Sequence, residues 1–149
     1  MAGVFETIGV LAVAGGGLVA AFSARRPSRL VLWLVAYLVL VEGLVQFGLA
    51  TGWQQLGSFA GGPALAAFLL YNLGNASVIV GRTLKGRTPR ALLLVRLGGA
   101  LLAVSMLLLL WSVRHAAGSW TLLWFLALVV IIFISMPVGL LLSARRQTA

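Results

Sequence analysis

Hydrophobic runs of about 20 residues recur along this chain of 149 residues and are separated by short stretches rich in Gly, Pro, Ser or charge. A helix of about 20 residues crosses the roughly 30 Å of hydrocarbon in a bilayer. The chain is 62% hydrophobic and 9% charged, which is too little polar material to cover a water-soluble domain. The pattern therefore predicts an all-α fold, a polytopic integral membrane protein.

A bundle of five transmembrane helices is predicted, forming a single domain over residues 1–149, with spans at about 4–22, 30–50, 59–81, 91–113 and 120–142. The first span is short, and "AVAGG" at 12–16 would also suit a signal-peptide cleavage site. However, "MAGVFET" has no positive region, and the basic "SARR" follows the span directly. We therefore interpret the first span as a retained helix.

Positive charge falls on alternate connections between the spans. Nine cationic side chains lie on one predicted side: Arg25, Arg26, Arg29, Arg82, Lys85, Arg87, Arg90, Arg145 and Arg146. The opposite side has only Arg114 and His115. The positive-inside rule then predicts an outside N-terminus and a cytoplasmic C-terminus. Because the composition favours Arg over Lys and is rich in Ala, Gly, Leu and Val, as in GC-rich bacterial genomes, we expect a multi-pass protein of the bacterial cytoplasmic (inner) membrane.

The cations between the first four spans are candidate contacts for anionic lipid headgroups: Arg25, Arg26, Arg29, Arg82, Lys85, Arg87 and Arg90. A formal net charge of +9 would suggest nucleic acid in a soluble protein. Here the charges lie between hydrophobic runs, so the predicted partner is the bilayer at its cytoplasmic face and not nucleic acid.

The chain offers few groups for catalysis or for holding a cofactor. It has no cysteine, one histidine and two acidic residues, which excludes disulfides and Cys-ligated clusters and makes a zinc site improbable. No serine, histidine and acid fall at compatible depths for a triad. The sequence therefore predicts no cofactor and disfavours an enzyme acting on a lipid or quinone.

Several polar residues nevertheless fall inside the predicted spans. Glu42 and Gln46 are one turn apart in the second span, and Asn72 and Asn75 share a face of the third. Arg96 lies five residues into the fourth span. Counted from the cytoplasmic side, the order of depth is Arg96, Asn75, Asn72, Glu42 and Gln46. Because exposure to lipid is costly for each group, we expect them to turn toward one another as a polar column.

Each of these residues also has a simpler interpretation. Arg96 is shallow enough to extend toward the headgroups, while Asn72, Asn75 and Gln46 can link helices by hydrogen bonds worth about 0.6 kcal/mol each. Glu42 lies too deep to reach the headgroups easily, and hydrocarbon favours the neutral form of a carboxyl group. Two interpretations of Glu42 remain open: a protonated structural residue, or a residue that exchanges its proton.

Small residues mark helix surfaces suited to close packing. Those in the fourth span are Gly99 and Ala103, on the same side as Arg96, and those in the first and fifth spans are Ala12, Gly16, Ala20, Ser135, Gly139 and Ser143.

Two functional hypotheses follow from this distribution. The first is a non-catalytic membrane subunit or assembly factor that packs its small-residue faces against other membrane subunits or a second copy. The second is a small oligomeric proton-coupled transporter or cation channel, in which Glu42 exchanges a proton or binds a cation. In the second hypothesis Gln46, Asn72 and Asn75 line the path. A single carboxylate suits a cationic substrate better than an anionic one.

Overall fold

The computed structural model describes residues 2–25, 28–56, 62–85 and 88–113, together with the single positions 127 and 130. Across these ranges the chain is helical, without a strand. Four of the helical rods are long and apolar enough to cross a membrane. The predicted all-α class is therefore confirmed, and four helices have the length and apolar composition that a membrane span requires. The predicted fifth span, 120–142, lies outside the described residues apart from 127 and 130.

The first rod is α1 (Ala2–Ser23). The second is continuous and consists of α2 (Arg29–Ala36), a π-helical segment (Tyr37–Leu44) and α3 (Val45–Leu56). It begins at an N-cap, where the Ser28 hydroxyl accepts a hydrogen bond from the Val31 amide at 3.2 Å. The third and fourth rods are α4 (Gly62–Thr83) and α5 (Ala91–Val113).

Two features of the second rod differ from the sequence-based expectation. Helix continues to Leu56, whereas the predicted span ended at residue 50. Gly52, Gln54 and Gln55 in this stretch each lower helix propensity by about 1 kcal/mol or less, which does not end the helix. The π-helical segment was not predicted either, since nothing in an apolar run distinguishes an i→i+5 backbone from an α-helix.

Helices α4 and α5 form an antiparallel hairpin with a heptad-like seam. Facing positions alternate in steps of three and four residues, which is the spacing of left-handed helix pairs. The α4 positions are Ala64, Ala67, Tyr71, Gly74, Val78 and Gly81, and the α5 positions are Ala91, Val95, Gly98, Leu102, Ser105 and Leu109.

Small residues bring the backbones of this hairpin into contact. A Cβ atom added at Gly98 would lie 2.6 Å from the Gly74 carbonyl oxygen and 2.9 Å from the Val78 nitrogen. A Cβ at Gly99 would meet nothing within 4 Å, so the prediction that Gly99 carries the close contact was wrong. The seam of α5 passes through Gly98, and the next residue is rotated about 100° away from it.

Helix α1 packs antiparallel along the second rod. A Cβ at Gly9 would lie 3.2 Å from the Gly43 carbonyl oxygen, and one at Gly16 would lie 2.8 Å from Val39 Cγ2. Gly16 is thus part of a close-packed surface, whereas Ala20, which was expected to share it, is exposed.

The two hairpins meet mainly through side chains rather than through close backbones. An apolar core joins α1, α3, α4 and α5, and includes the edge-to-face pair Phe5–Phe68, with ring centroids 4.7 Å apart. Beside this core, the second rod and α4 face each other with polar side chains. That contact contains the candidate site.

Candidate functional site

Glu42 lies in the π-helical segment and is only 8% exposed. Its Oε2 atom accepts a hydrogen bond from Gln46 Nε2 at 3.0 Å. The same Gln46 nitrogen donates to Asn72 Oδ1 at 2.9 Å, so one amide group bonds Glu42 within the second rod and Asn72 on α4. Asn72 in turn donates to the Phe68 carbonyl at 2.9 Å.

Asn75 belongs to the same cluster. Its Oδ1 atom accepts a 2.6 Å hydrogen bond from the Tyr37 hydroxyl, and its amide lies beside the Glu42 carboxyl group. The structure therefore brings together four of the five intramembrane residues singled out in the sequence. With the tyrosine, they form what we call the polar seam: Tyr37, Glu42, Gln46, Asn72 and Asn75.

Two atoms of the polar seam lack partners. Gln46 Oε1 and Asn75 Nδ2 are buried without a hydrogen bond in the described structure, and both side chains are fully buried. A buried polar atom without a partner costs about 1–3 kcal/mol. The Asn75 amide nevertheless lies beside the Glu42 carboxyl group, which can accept a hydrogen bond from it.

A second tyrosine supports the π-helical segment. Tyr71 of α4 is fully buried, and its hydroxyl donates to the Val41 carbonyl at 2.6 Å. This bond fixes the level at which the segment meets α4, one residue before Glu42.

Aromatic and cationic side chains extend from the polar seam toward the end of the bundle where the basic connections lie. The Tyr37 ring contacts that of Trp33, with centroids 5.0 Å apart. The Arg82 guanidinium carbon lies 5.3 Å from the centroid of the Trp33 ring, within cation–π range. The pair gives the second rod and α4 another contact near their ends.

Glu42 has no cationic partner among the described residues, where its polar neighbours include the amides of Gln46 and Asn75. Arg96 does not join the polar seam, so the expectation that it does is corrected. It is exposed on α5, because α5 packs principally on α4 through a seam that includes Gly98. Its placement agrees with the alternative of extending toward the headgroups.

A groove of about 330 Å³ borders the polar seam, between α1, the π-helical segment and α4. Only Glu42 and Asn72 contribute polar side chains to its wall, which consists of Ile8, Leu11, Ala12, Leu38, Glu42, Asn72, Ala76 and Ile79. All eight lie within the candidate membrane spans, and Leu11 at the edge of the groove is 66% exposed.

The candidate headgroup residues lie around the turns that join α1 to α2 and α4 to α5. Exposed side chains are those of Arg25, Arg29, Lys85 and Arg90, whereas Arg82 is half-buried against Trp33. Arg26 and Arg87 lie outside the described residues. The antiparallel rods place both turns at the same end of the bundle.

Sequence reasoning missed Tyr37 and Tyr71 as members of the site. Tyr37 is five residues before Glu42, which in an α-helix places the two about 140° apart. A π-helix turns less per residue, so here both reach the same neighbouring helix. The signal for Tyr71 was available: it adjoins Asn72, and a tyrosine deep in an apolar run needs a hydrogen-bond acceptor.

Searches against models of known protein families, curated proteins and solved structures find no match to this chain. Its chemistry therefore has to be inferred from the site. No group of three or more potential metal ligands occurs among His, Cys, Asp and Glu of the described ranges. The arrangement offers one carboxyl group with amide hydrogen-bond partners beside an apolar groove. Such a site can hold a proton or pair with one positive charge.

Proposed function

We propose that this chain is a small, non-enzymatic, oligomeric membrane transporter in which Glu42 exchanges a proton for a cation. One observation carries the proposal: a carboxyl group inside a candidate membrane span, without a cationic partner in the described structure, forms part of a groove wall. Ionisable residues inside a membrane are costly and commonly mark a substrate or proton route.

The hydrogen bonds of the polar seam add support. Gln46 donates to the Glu42 carboxyl group and to Asn72, and the Asn75 amide lies beside the same carboxyl group. Gln46, Asn72 and Asn75 would position the carboxyl group and adjust when its charge changes.

The test is cation-driven proton movement in proteoliposomes that contain a pH-sensitive dye. External Na⁺, K⁺ or the organic cation N-methyl-4-phenylpyridinium is added, and the internal pH is followed. Glu42→Gln should abolish proton movement yet fold normally, because the new amide oxygen still accepts a hydrogen bond from Gln46. Glu6→Gln, which changes the only other acidic residue, is the matched control. Proton movement that survives in Glu42→Gln rejects the proposal.

A second candidate function is that of a non-catalytic subunit or assembly partner of a membrane complex. It is favoured by an outward face of α1 whose residues follow heptad spacing and are all exposed: Gly3, Thr7, Val10, Ala14, Gly17 and Ala21. Small residues let a neighbouring helix approach closely. Gly17→Leu should then disrupt an oligomer or release a co-purifying subunit from native membranes. A stable monomer that retains no membrane partner would refute this candidate.

The proposed topology has five spans, with the N-terminus outside and the C-terminus in the cytoplasm of a bacterial inner membrane. The basic turns would contact anionic lipid at the cytoplasmic face. Because the chain contains no cysteine, single cysteines report topology cleanly. An impermeant maleimide should label Ser119→Cys in intact cells and Thr88→Cys only after lysis. The reverse pattern would refute the orientation.

A further inference from the structure

We infer that the groove beside Glu42 binds a lipophilic monocation, an organic cation with an apolar body, which enters from the side of the bundle. This inference rests on the proposed exchange at Glu42 and names its substrate class. The supporting features are the composition of the groove wall, the position of the opening, and the single carboxyl group.

The groove wall favours a ligand whose body is apolar. Apart from Glu42 and Asn72 it presents aliphatic side chains, and its volume of about 330 Å³ falls in the range of pockets for small organic ligands. Ala12 and Ala76 leave space that larger side chains would occupy. A small metal ion would require several oxygen ligands, whereas this wall supplies one carboxyl group and one amide.

The opening determines the route of entry. Every lining residue belongs to a candidate membrane span, and Leu11 is 66% exposed at the rim. A ligand dissolved among the lipid chains can therefore reach Glu42 without passing through an aqueous end. Hydrated inorganic ions do not partition into hydrocarbon, because removing a charge from water is costly, but an organic cation with a large apolar surface does.

The carboxyl group determines the charge and the stoichiometry. The neutral Glu42 carboxyl transfers one proton to water, and so to the buffer, and becomes a carboxylate that pairs with one cation. The bound site is therefore neutral, as the protonated site was. The titratable groups beside Glu42 are Tyr37 in its own segment and Tyr71 on α4. Both phenols already donate hydrogen bonds, to Asn75 and to the Val41 carbonyl. The groove residues of α1 are aliphatic. The proton therefore comes from Glu42.

The experiment uses the full chain in lipid nanodiscs, titrated with N-methyl-4-phenylpyridinium by calorimetry in two buffers of different ionisation enthalpy. We expect saturable binding at pH 7.5, tighter at higher pH, with one proton released per cation. The neutral analogue 4-phenylpyridine should bind at least roughly tenfold more weakly, a difference of about 1.4 kcal/mol. Equal binding of the neutral analogue, or no proton release, would overturn the inference.

Two variants separate binding from folding. Ala76→Leu should fill the groove and weaken cation binding at least roughly tenfold, while Ala100→Leu, the same change at an exposed site on α5, should not. Unchanged binding in Ala76→Leu, with a native unfolding midpoint, would also overturn the inference. If Na⁺ or K⁺ drives Glu42-dependent proton movement but the organic cation does not bind, this substrate class is wrong and the proposed exchange stands. If proton movement does not depend on Glu42, the proposed function itself is wrong.

Discussion

Replacement of Gly98 by alanine should destabilise the α4–α5 hairpin. The new methyl carbon would lie 2.6 Å from the Gly74 carbonyl oxygen and 2.7 Å from Val78 Cγ2. Ordinary contacts begin near 3.4 Å, so the shortfall reaches 0.8 Å. The Gly74 oxygen and the Val78 nitrogen are backbone atoms and cannot rotate away. The two helices must therefore move apart.

The cost follows from the lost contacts along the seam. A gap of about 0.5–1 Å removes about a quarter to a half of each dispersion contact, and overpacked sites commonly lose about 1–3 kcal/mol. We expect Gly98→Ala to lower the free energy of unfolding by about that amount. Alanine also has a higher helix propensity than glycine, which offsets up to about 1 kcal/mol of the loss. The lower end of the range allows for this gain.

The neighbouring glycine provides the control. A Cβ at Gly99 meets nothing within 4 Å, so Gly99→Ala should leave stability unchanged or raise it by up to about 1 kcal/mol. Unfolding is followed in mixed micelles by titration with dodecyl sulfate, using circular dichroism and the fluorescence of the five tryptophans. Equal stability of the two alanine variants would refute the proposed packing. The double variant Gly74→Ala with Gly98→Ala should lose less than the sum of the single losses, because one separation relieves both contacts.

Three further predictions concern individual hydrogen bonds and one charge, each measured by the same unfolding titration. Tyr71→Phe removes the donor to the Val41 carbonyl at 2.6 Å and should cost about 1 kcal/mol; wild-type stability would contradict the role given to this bond. Ser105→Ala removes the 2.7 Å bond to the Ala67 carbonyl, with an expected loss of about 0.6 kcal/mol. A much larger loss would mean that the hydroxyl has a further role in packing. Arg96→Gln should change stability by less than about 0.5 kcal/mol because the side chain is exposed, and a large loss would place Arg96 in a buried network after all.

The candidate site was partly predictable because the cost of polar groups in hydrocarbon is independent of the details of the fold. Glu42, Gln46, Asn72 and Asn75 had to avoid lipid, and the topology of adjacent antiparallel spans placed them at similar depths. These two facts predicted their mutual contact, and the rotation of each rod in the structure then realised it. The same reasoning was wrong for Arg96, because a long side chain near the end of a span can reach the headgroups instead.

The sequence by itself predicted the all-α class and the approximate position of each described rod, because hydrophobic length is a local property. It did not predict that the second rod continues to Leu56. The tertiary structure alone decided how each rod is rotated about its axis. In a membrane, lipid and protein contacts are both apolar, so the pattern of hydrophobic residues does not mark the inner face. For that reason only the tertiary structure decided three features. These are the close contact at Gly98 rather than Gly99, the π-helical segment that brings Tyr37 to Asn75, and the groove beside Glu42.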